Sequence, residues 1–204
     1  MVGVSTELVG NALCLDFANS VNQRSDPRHD WLAEPDGLRA WAVLAGLPRP
    51  SRRPASEDIE QAVALREAVY RVFSAVAAGE GPAQRDLATV TATAAEGLAA
   101  ATLSPAAGYG LEWRGGDVRR VLWAVADSAV ELLRHGPLDR IGECPSCGWV
   151  FLDTSRNGRR RWCSMAMCGN AVKYARYALS SSPDGQRARS AANDKVAGRL
   201  AKLL

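Results

Sequence analysis

Residues 144–168 read CPSCGWVFLDTSRNGRRRWCSMAMC and hold four of the five cysteines of this chain. The spacing is C-x2-C, then fifteen residues, then C-x4-C. Two close pairs of thiols on a loop of this length suit tetrahedral Zn2+, because each pair supplies two ligands on one side of the ion. The sequence therefore predicts one structural zinc ion, held by Cys144, Cys147, Cys163 and Cys168. Reduced structural cysteines or a redox pair are the alternatives, and a disulfide framework would need an oxidising compartment.

The composition indicates a globular chain with a substantial core. Apolar residues make up 47% of the 204 positions, and a chain of this size can bury enough of them to fold. No run approaches the roughly 18 consecutive apolar residues of a membrane span. The N-terminus also lacks the basic and apolar regions of a signal peptide. We therefore expect a cytoplasmic protein with no membrane partner.

The formal net charge of +3 is unevenly distributed along the chain. Residues 141–204 hold eleven Lys or Arg against four Asp or Glu, whereas residues 1–140 hold fourteen against eighteen. An acidic body with a basic, cysteine-rich end is the asymmetry expected when one part of a protein meets a polyanion. A solvated basic surface is the alternative interpretation.

The pattern of residues 1–138 predicts a helical domain with one small β element. Apolar spacing predicts helices at residues 11–21, 36–46, 56–79, 83–103 and 117–135. Alternation around Leu111 and Trp113 predicts a short strand or hairpin. Asn11 is the expected N-cap of the first helix, and Cys14 is expected in the core. No Walker loop, GxGxxG, HExxH or GxSxG motif occurs here, so we do not expect an enzyme.

Arg66 falls within the apolar stripe of the helix that starts at Ser56. An arginine that points towards a core needs an acidic partner or an anionic ligand. An internal ion pair, with Asp16 as a candidate partner, is one interpretation, and a ligand-binding arginine is the other. Asp16, Asn19 and Arg66 are accordingly the residues predicted for a ligand pocket.

The cysteine-rich end has the pattern of a small metal-stabilised unit. Residues 144–148 form a zinc knuckle, residues 149–152 are β-formers, and Asn157-Gly158 is a strong turn signal. Residues 159–161 are predicted to return as the second strand of a hairpin. Ser164 is then expected to cap a helix that carries Cys168. The predicted fold class is mainly α with a short β hairpin: a helical N-terminal domain followed by a treble-clef-like zinc finger.

The run CGWVFLDTSRNGRRRWCSMAMCGN resembles the CGNR zinc finger. The upstream segments LCLDFANSVNQR, ALREAVYRVF and VLWAVADSAVELL resemble the ABATE domain that precedes this finger. The resemblance covers about residues 7–180, and it implies a bacterial, stress-related transcription regulator that binds DNA. One departure is Ala171, which stands where the arginine that ends the CGNR motif would be.

Basic residues cluster around the cysteines, and zinc would hold them on a small rigid unit as contacts for DNA phosphates. The candidates for binding duplex DNA are Arg156, Arg159, Arg160, Arg161, Lys173 and Arg176.

The domain prediction is a helical domain at 1–138, the finger at 139–182 and a basic helix or tail at 183–204. The helical domain could sense a small-molecule effector or form a homodimer. The alternatives are a finger that binds other proteins and a small enzyme with a structural zinc.

Overall fold

The computed structural model describes residues 8–22, 24, 30–34, 36–105, 108–113 and 118–174. The helices of this part are α1 (Leu13–Ala18), α2 (Gly37–Leu44), α3 (Ser56–Ala77), α4 (Gln84–Ala100) and α5 (Arg119–His135). The strands are β1 (Ala101–Ser104), β2 (Gly110–Trp113), β3 (Ile141–Glu143) and β4 (Val150–Leu152). A π-helical turn, Met165–Gly169, continues as a helix through residue 174. The predicted fold class is confirmed, while Arg176 and the 183–204 tail lie outside the described residues.

The core forms where α1, α3 and α5 meet, because each of these helices carries apolar residues at helical spacing. Phe17 of α1 is fully buried and meets Trp41 of α2 edge-on, with 4.8 Å between the ring centroids. Phe73 of α3 and Val125 of α5 are also fully buried. Cys14 lies in the same core, as predicted. These helices supply the frame against which the cysteine-rich end is held.

The helix predicted to reach Leu103 ends at Ala100, and the following residues form β1. β1 pairs with β2 in antiparallel register, with Ala101 opposite Trp113. The turn between the strands places Gly108 and Tyr109 at φ values of 62° and 64°. The strand predicted around Leu111 and Trp113 is therefore confirmed as β2. The partner strand, β1, was not predicted, because its pairing with β2 across the turn, rather than local apolar spacing, ends α4.

β4 pairs with β3, the strand that directly precedes the first pair of cysteines, and Gly142 lies opposite Phe151. The prediction that residues 159–161 return as the partner of β4 is wrong, because these residues form no strand. The knuckle reverses the chain, so β3 reaches β4 first. Gly142 leaves room for Phe151, since a Cβ there would lie 2.8 Å from the ring.

The N-terminal segment completes the other edge of β4. The side-chain amide of Asn19 accepts from the N–H of Val150 at 3.0 Å and donates to the Val150 carbonyl at 2.8 Å. The N–H of Leu152 donates to the carbonyl of Gly10 at 2.8 Å, and Asn11 Nδ2 donates to the carbonyl of Leu152 at 2.8 Å. Asn11 therefore binds the β3–β4 hairpin instead of capping α1. These four hydrogen bonds pair the backbone groups of β4 that a third strand would otherwise bind.

The chain divides into two compact units, Met1–Cys163 and Ser164–Leu204. The β3–β4 hairpin belongs to the first unit, together with the helices that hold it. The second unit is described by itself below, and the domain boundaries at 138 and 182 stay predictions. Among the described residues, no helix is both long and apolar enough to cross a membrane.

Asn19→Ala should lower the free energy of unfolding of the zinc-loaded protein by about 2–4 kcal/mol, because it leaves two buried backbone groups of Val150 without partners. Urea unfolding followed by circular dichroism would measure the change. Asn170→Ala is the control, since Asn170 is exposed and its replacement should change stability by less than about 0.5 kcal/mol. Equal effects of the two substitutions would contradict this account of how β4 is held.

Candidate metal centre and basic loop

Four buried thiols form one cluster in the structure. The Sγ atoms of Cys144, Cys147, Cys163 and Cys168 all lie within 4.8 Å of one another. Those of Cys147 and Cys163 are 3.5 Å apart, far beyond the roughly 2.05 Å of a disulfide bond. A tetrahedral zinc with Zn–S bonds of about 2.3 Å places its sulfur atoms about 3.8 Å apart. The thiols therefore have the number, chemistry and spacing of a closed zinc site with four cysteine ligands.

Backbone hydrogen bonds shape the knuckle that presents the first two ligands. The N–H of Cys144 donates to the carbonyl of Trp149 at 2.8 Å, and that of Gly148 donates to the carbonyl of Cys144 at 2.9 Å. Gly148 has a φ of 74°, which a residue with a side chain rarely adopts. Trp149 Nε1 donates to the carbonyl of Val21 at 2.8 Å. The knuckle is thus folded internally and held from the helical side.

In the second unit, the fourth cysteine lies on the π-helical turn that starts after Ser164. The hydroxyl of Ser164 accepts from the N–H of Met167 at 3.4 Å, and its carbonyl accepts from the N–H of Cys168 at 3.0 Å. The predicted cap at Ser164 is therefore confirmed.

The thiols influence one another's ionisation. Hydrogen bonds from Cys147 and Cys163 stabilise a thiolate at Cys144 and lower the pKa of Cys144. The shared thiolate in turn raises the pKa of Cys147 and of Cys163, with burial adding to both shifts. A divalent cation removes this conflict, because it lets all four sulfurs bind as thiolates. Cys14 differs, since burial raises its pKa to about 12 and keeps it a protonated core residue.

A loop at residues 153–161 presents most of the predicted DNA-binding arginines. The buried carboxylate of Asp153 accepts from the N–H groups of Ser155 and Arg160, both at 2.8 Å. The hydrogen bond of the Ser155 hydroxyl first, and then that of the Arg160 N–H, lower the pKa of Asp153. Arg140 donates to the carbonyl of Ser155 at 3.1 Å. Sequence reasoning missed both anchors, although the run DTS at 153–155 is a signal for an Asx turn.

The arginines of this loop point in two directions. Arg156, Arg159 and Arg161 are exposed, whereas Arg160 is half-buried. Arg160 Nη2 donates to the carbonyls of Cys163 and, at 2.7 Å, Val9. The guanidinium of Arg160 also lies 4.3 Å from the ring centroid of Phe151. The loop thus offers three arginines to solvent, while Arg160 joins a metal ligand to the N-terminal segment.

Comparison with known families gives this arrangement a context. Residues 11–136 match the model of the ABATE family, described as "Putative stress-induced transcription regulator". This chain belongs to the ABATE family. Residues 140–179 match the CGNR zinc finger, so the resemblance drawn from the sequence is confirmed in identity and order. No protein with curated annotation matches the chain. The cluster of four cysteines is the structural zinc site of the CGNR finger, with one ion per chain.

The end of the CGNR motif lies in the second unit. Asn170, Ala171 and Lys173 are exposed on the helix that continues from the π-helical turn. Ala171 therefore leaves a solvent-facing position without the cation of the motif. Lys173 lies two residues further along the same helix.

The predicted pocket residues of the ABATE domain have separate partners. The guanidinium of Arg66 makes two hydrogen bonds to Asp30, at 2.5 and 2.9 Å, and one to Glu67 at 2.9 Å, so its carboxylate partners are Asp30 and Glu67 rather than Asp16. Asn19 binds Val150, and Asp16 Oδ1 accepts from the N–H of Gly10 at 2.7 Å. Among the described residues, no hydrogen bond or ion pair joins Asp16, Asn19 and Arg66. Each of them acts as a structural contact here.

Burial raises the pKa of Asp16 to about 6, although backbone N–H groups of Gly10 and Val9 and the charge of Arg160 oppose the shift. The pKa in the folded protein is therefore above that of an unfolded chain, about 3.9. Ionisation of Asp16 consequently costs folding free energy as the pH rises from about 4 to 6.

A polar network beneath the knuckle was not foreseen from the sequence. The N–H of Arg24 donates to the carbonyl of Cys147 at 3.2 Å. Its guanidinium lies 3.6 Å from the ring centroid of Tyr70 and pairs with Glu67 at 2.8 Å. Tyr70 in turn donates to Glu143 of β3 at 3.2 Å. These residues tie α3 to the metal knuckle, and their separation along the chain leaves no local signal.

Purified protein should contain about one zinc per chain, and Cys168→Ser should lose most of it, because three thiolates and a hydroxyl bind Zn2+ more weakly. Elemental analysis after dialysis against a mild chelator would measure the content. Cys14→Ala is the matched control, since it removes the cysteine outside the cluster and should retain the zinc. Protein that folds fully without metal, or equal zinc loss in both variants, would overturn the assignment.

Arg160→Ala should lower the free energy of unfolding by about 1–3 kcal/mol, because it removes several hydrogen bonds and the packing over Phe151. Arg159→Ala, one residue away and exposed, should change it by less than about 0.5 kcal/mol. Urea unfolding of the zinc-loaded variants gives both values. Arg160→Lys should fail to restore stability, because an ammonium cannot reach the same set of carbonyls. If Arg159→Ala and Arg160→Ala lower the free energy of unfolding equally, the structural role assigned to Arg160 is wrong.

Proposed function

We propose that this protein regulates transcription by binding duplex DNA through the basic loop of its zinc finger. The observation that carries the proposal is the exposure of Arg156, Arg159 and Arg161 on a loop whose base is fixed by Asp153 and Arg140. Guanidinium groups bind phosphate oxygens with paired hydrogen bonds. Because the loop is already ordered by protein contacts, little conformational entropy is lost when it meets a phosphate backbone.

Zinc supports the proposed interface indirectly. It fixes Cys163, which lies two residues after Arg161, and it therefore fixes the end of the basic loop. Its closed set of four thiolates leaves no open coordination position for a substrate. We accordingly propose a regulator rather than an enzyme, with the metal in a structural role.

Lys173 is exposed on the helix of the second unit and is proposed as a further phosphate contact. Arg176, the remaining predicted cation, lies outside the described residues. Since Ala171 supplies no charge, the proposal predicts that the loop arginines provide most of the electrostatic affinity.

The description of the ABATE family supports action on transcription, and we propose that this action takes place in the cytoplasm of a bacterial cell. We extend the proposal to a homodimer, because two-fold symmetric regulators match the symmetry of palindromic DNA sites. An effector would control binding only if it favoured one state of the protein over another.

Replacing Arg156, Arg159 and Arg161 together with alanine should weaken binding of the zinc-loaded protein to a short mixed-sequence duplex. Each phosphate contact contributes about 0.9 to the slope of log K against log salt, so the slope should become shallower by roughly 2 to 3. Fluorescence anisotropy across a series of KCl concentrations would give the slope for each protein.

The matched control is the triple variant Arg53→Ala, Arg85→Ala and Arg134→Ala, which removes the same charge from exposed positions outside the finger. This variant should keep nearly the wild-type slope. If the salt slope became equally shallow in both triple variants, the effect would come from net charge and not from the basic loop. Absence of duplex binding at low salt would reject the DNA proposal and favour a finger that binds proteins.

A further inference from the structure

Arg140 lies at the base of the basic loop (residues 153–161), although the sequence pattern did not place it among the DNA-binding residues. It ends a 3-10 turn, Leu138–Arg140, which directly precedes β3. Its carbonyl accepts from the N–H of Asp153 at 2.8 Å. Its Nη1 donates to the carbonyls of Asp153 at 3.3 Å and Ser155 at 3.1 Å. The backbone and the side chain of Arg140 are therefore both held against the loop.

The other edge of the same guanidinium is unoccupied. Of the described residues, none accepts a hydrogen bond from Nε or Nη2 of Arg140, and both atoms reach solvent. This edge borders Gly158, where an added Cβ would lie 3.7 Å from Nη2 and 4.0 Å from Nε. Because Gly158 has no side chain, nothing from that residue covers the edge. Two N–H groups of a fixed arginine are thus open to a ligand.

Arg71 shows what the same edge binds elsewhere in this chain. Nε of Arg71 donates to both carboxylate oxygens of Asp86 at 3.0 Å, and Nη2 donates to Oδ1 at 2.6 Å. Two N–H groups on one planar edge match the paired oxygens of a carboxylate or a phosphate. In the described part of the chain, no carboxylate forms such a pair with Arg140. An oxyanion from outside the chain can therefore bind Arg140 as Asp86 binds Arg71.

The charges around Arg140 favour an anion that carries many negative groups. Residues 139–161 hold five arginines against three acidic residues. Of these acidic residues, Asp153 binds N–H groups of the loop, Glu143 binds hydroxyl groups of α3, and Asp139 is exposed. Three of the arginines are exposed on the loop itself. Repeated positive charge of this kind suits the successive phosphates of a nucleic acid.

We propose that Arg140 binds a phosphate group of the DNA backbone through Nε and Nη2, beside the phosphates bound by the exposed arginines of the loop. The inference rests on the proposed function and adds a residue to its interface. Since Nη1 is already anchored, little side-chain entropy is lost when the phosphate binds. A phosphate held by a fixed guanidinium would also set the position of the finger on the duplex.

The Nε–H NMR signals of the isotope-labelled, zinc-loaded full chain test this contact directly. A short mixed-sequence duplex at low salt should shift the Arg140 signal saturably, because a phosphate oxygen replaces water as its acceptor. The Arg71 signal should stay in place, since Asp86 already binds that group. If the amide signals of the loop shift while the Arg140 signal does not, this inference fails and the DNA proposal stands. Absence of duplex binding would overturn both.

Two substitutions of Arg140 separate its charge from its geometry. Arg140→Lys keeps the charge but not the planar edge, so the salt slope should stay near that of the wild type while duplex affinity falls about fivefold. Arg140→Ala should in addition make the slope shallower by about 0.9, the value for one phosphate contact. Arg134→Ala removes the same charge at an exposed position of α5 and should leave affinity and slope nearly unchanged.

Circular dichroism and zinc content check that the variants fold, because Arg140 also supports the loop through Nη1. If Arg140→Ala loses its fold or its zinc, the Nε–H titration of the unaltered chain and the Arg140→Lys variant still decide the question. Wild-type affinity and slope in a folded Arg140→Ala variant would refute the contact. Full affinity in Arg140→Lys would refute binding through the paired N–H groups.

Discussion

The paired hydrogen bonds between the Asn19 amide and the backbone of Val150 are the constraint on which the finger depends. A two-stranded sheet of three-residue strands is too small to be stable alone. Asn19 completes its edge from within the helical domain, and Gly10 and Asn11 continue that edge at Leu152. The polar faces of the first ABATE helix and the preceding residues are therefore structural, since they supply hydrogen bonds that a third strand would otherwise provide.

This dependence joins the metal to the helical domain. Zinc binds only the folded arrangement of its thiols, so its binding free energy stabilises whatever is folded together with them. Here the knuckle is connected to α3 through Arg24 and Tyr70, and its last ligand in the first unit, Cys163, is connected to Val9 through Arg160. Loss of metal is consequently expected to weaken contacts well outside the finger.

The run Arg159-Arg160-Arg161 illustrates how similar residues acquire different roles. A guanidinium can bind carbonyls and aromatic rings in a partly dry environment or phosphates in water. Arg160 does the former because the fold of the loop turns its side chain towards Phe151 and Cys163. Its neighbours remain in solvent, where they are available to a polyanion. Local sequence cannot distinguish the three, since the contacts of Arg160 are made to residues outside this run, and its own backbone N–H is held by Asp153 at the base of the loop.

The sequence by itself determined the zinc ligands, the family and most helices, because these depend on short spacings and local periodicity. Only the tertiary structure decided the partner of β4, the carboxylate opposite Arg66 and the inward turn of Arg160. Each of these is a contact between segments far apart in the chain or between a side chain and a backbone group, which residue patterns do not encode. The placement of Arg140 against the basic loop belongs to the same class, since it depends on the carbonyls of Asp153 and Ser155. The spacing of the cysteines thus predicts a metal site, whereas the tertiary fold determines which other residues support it.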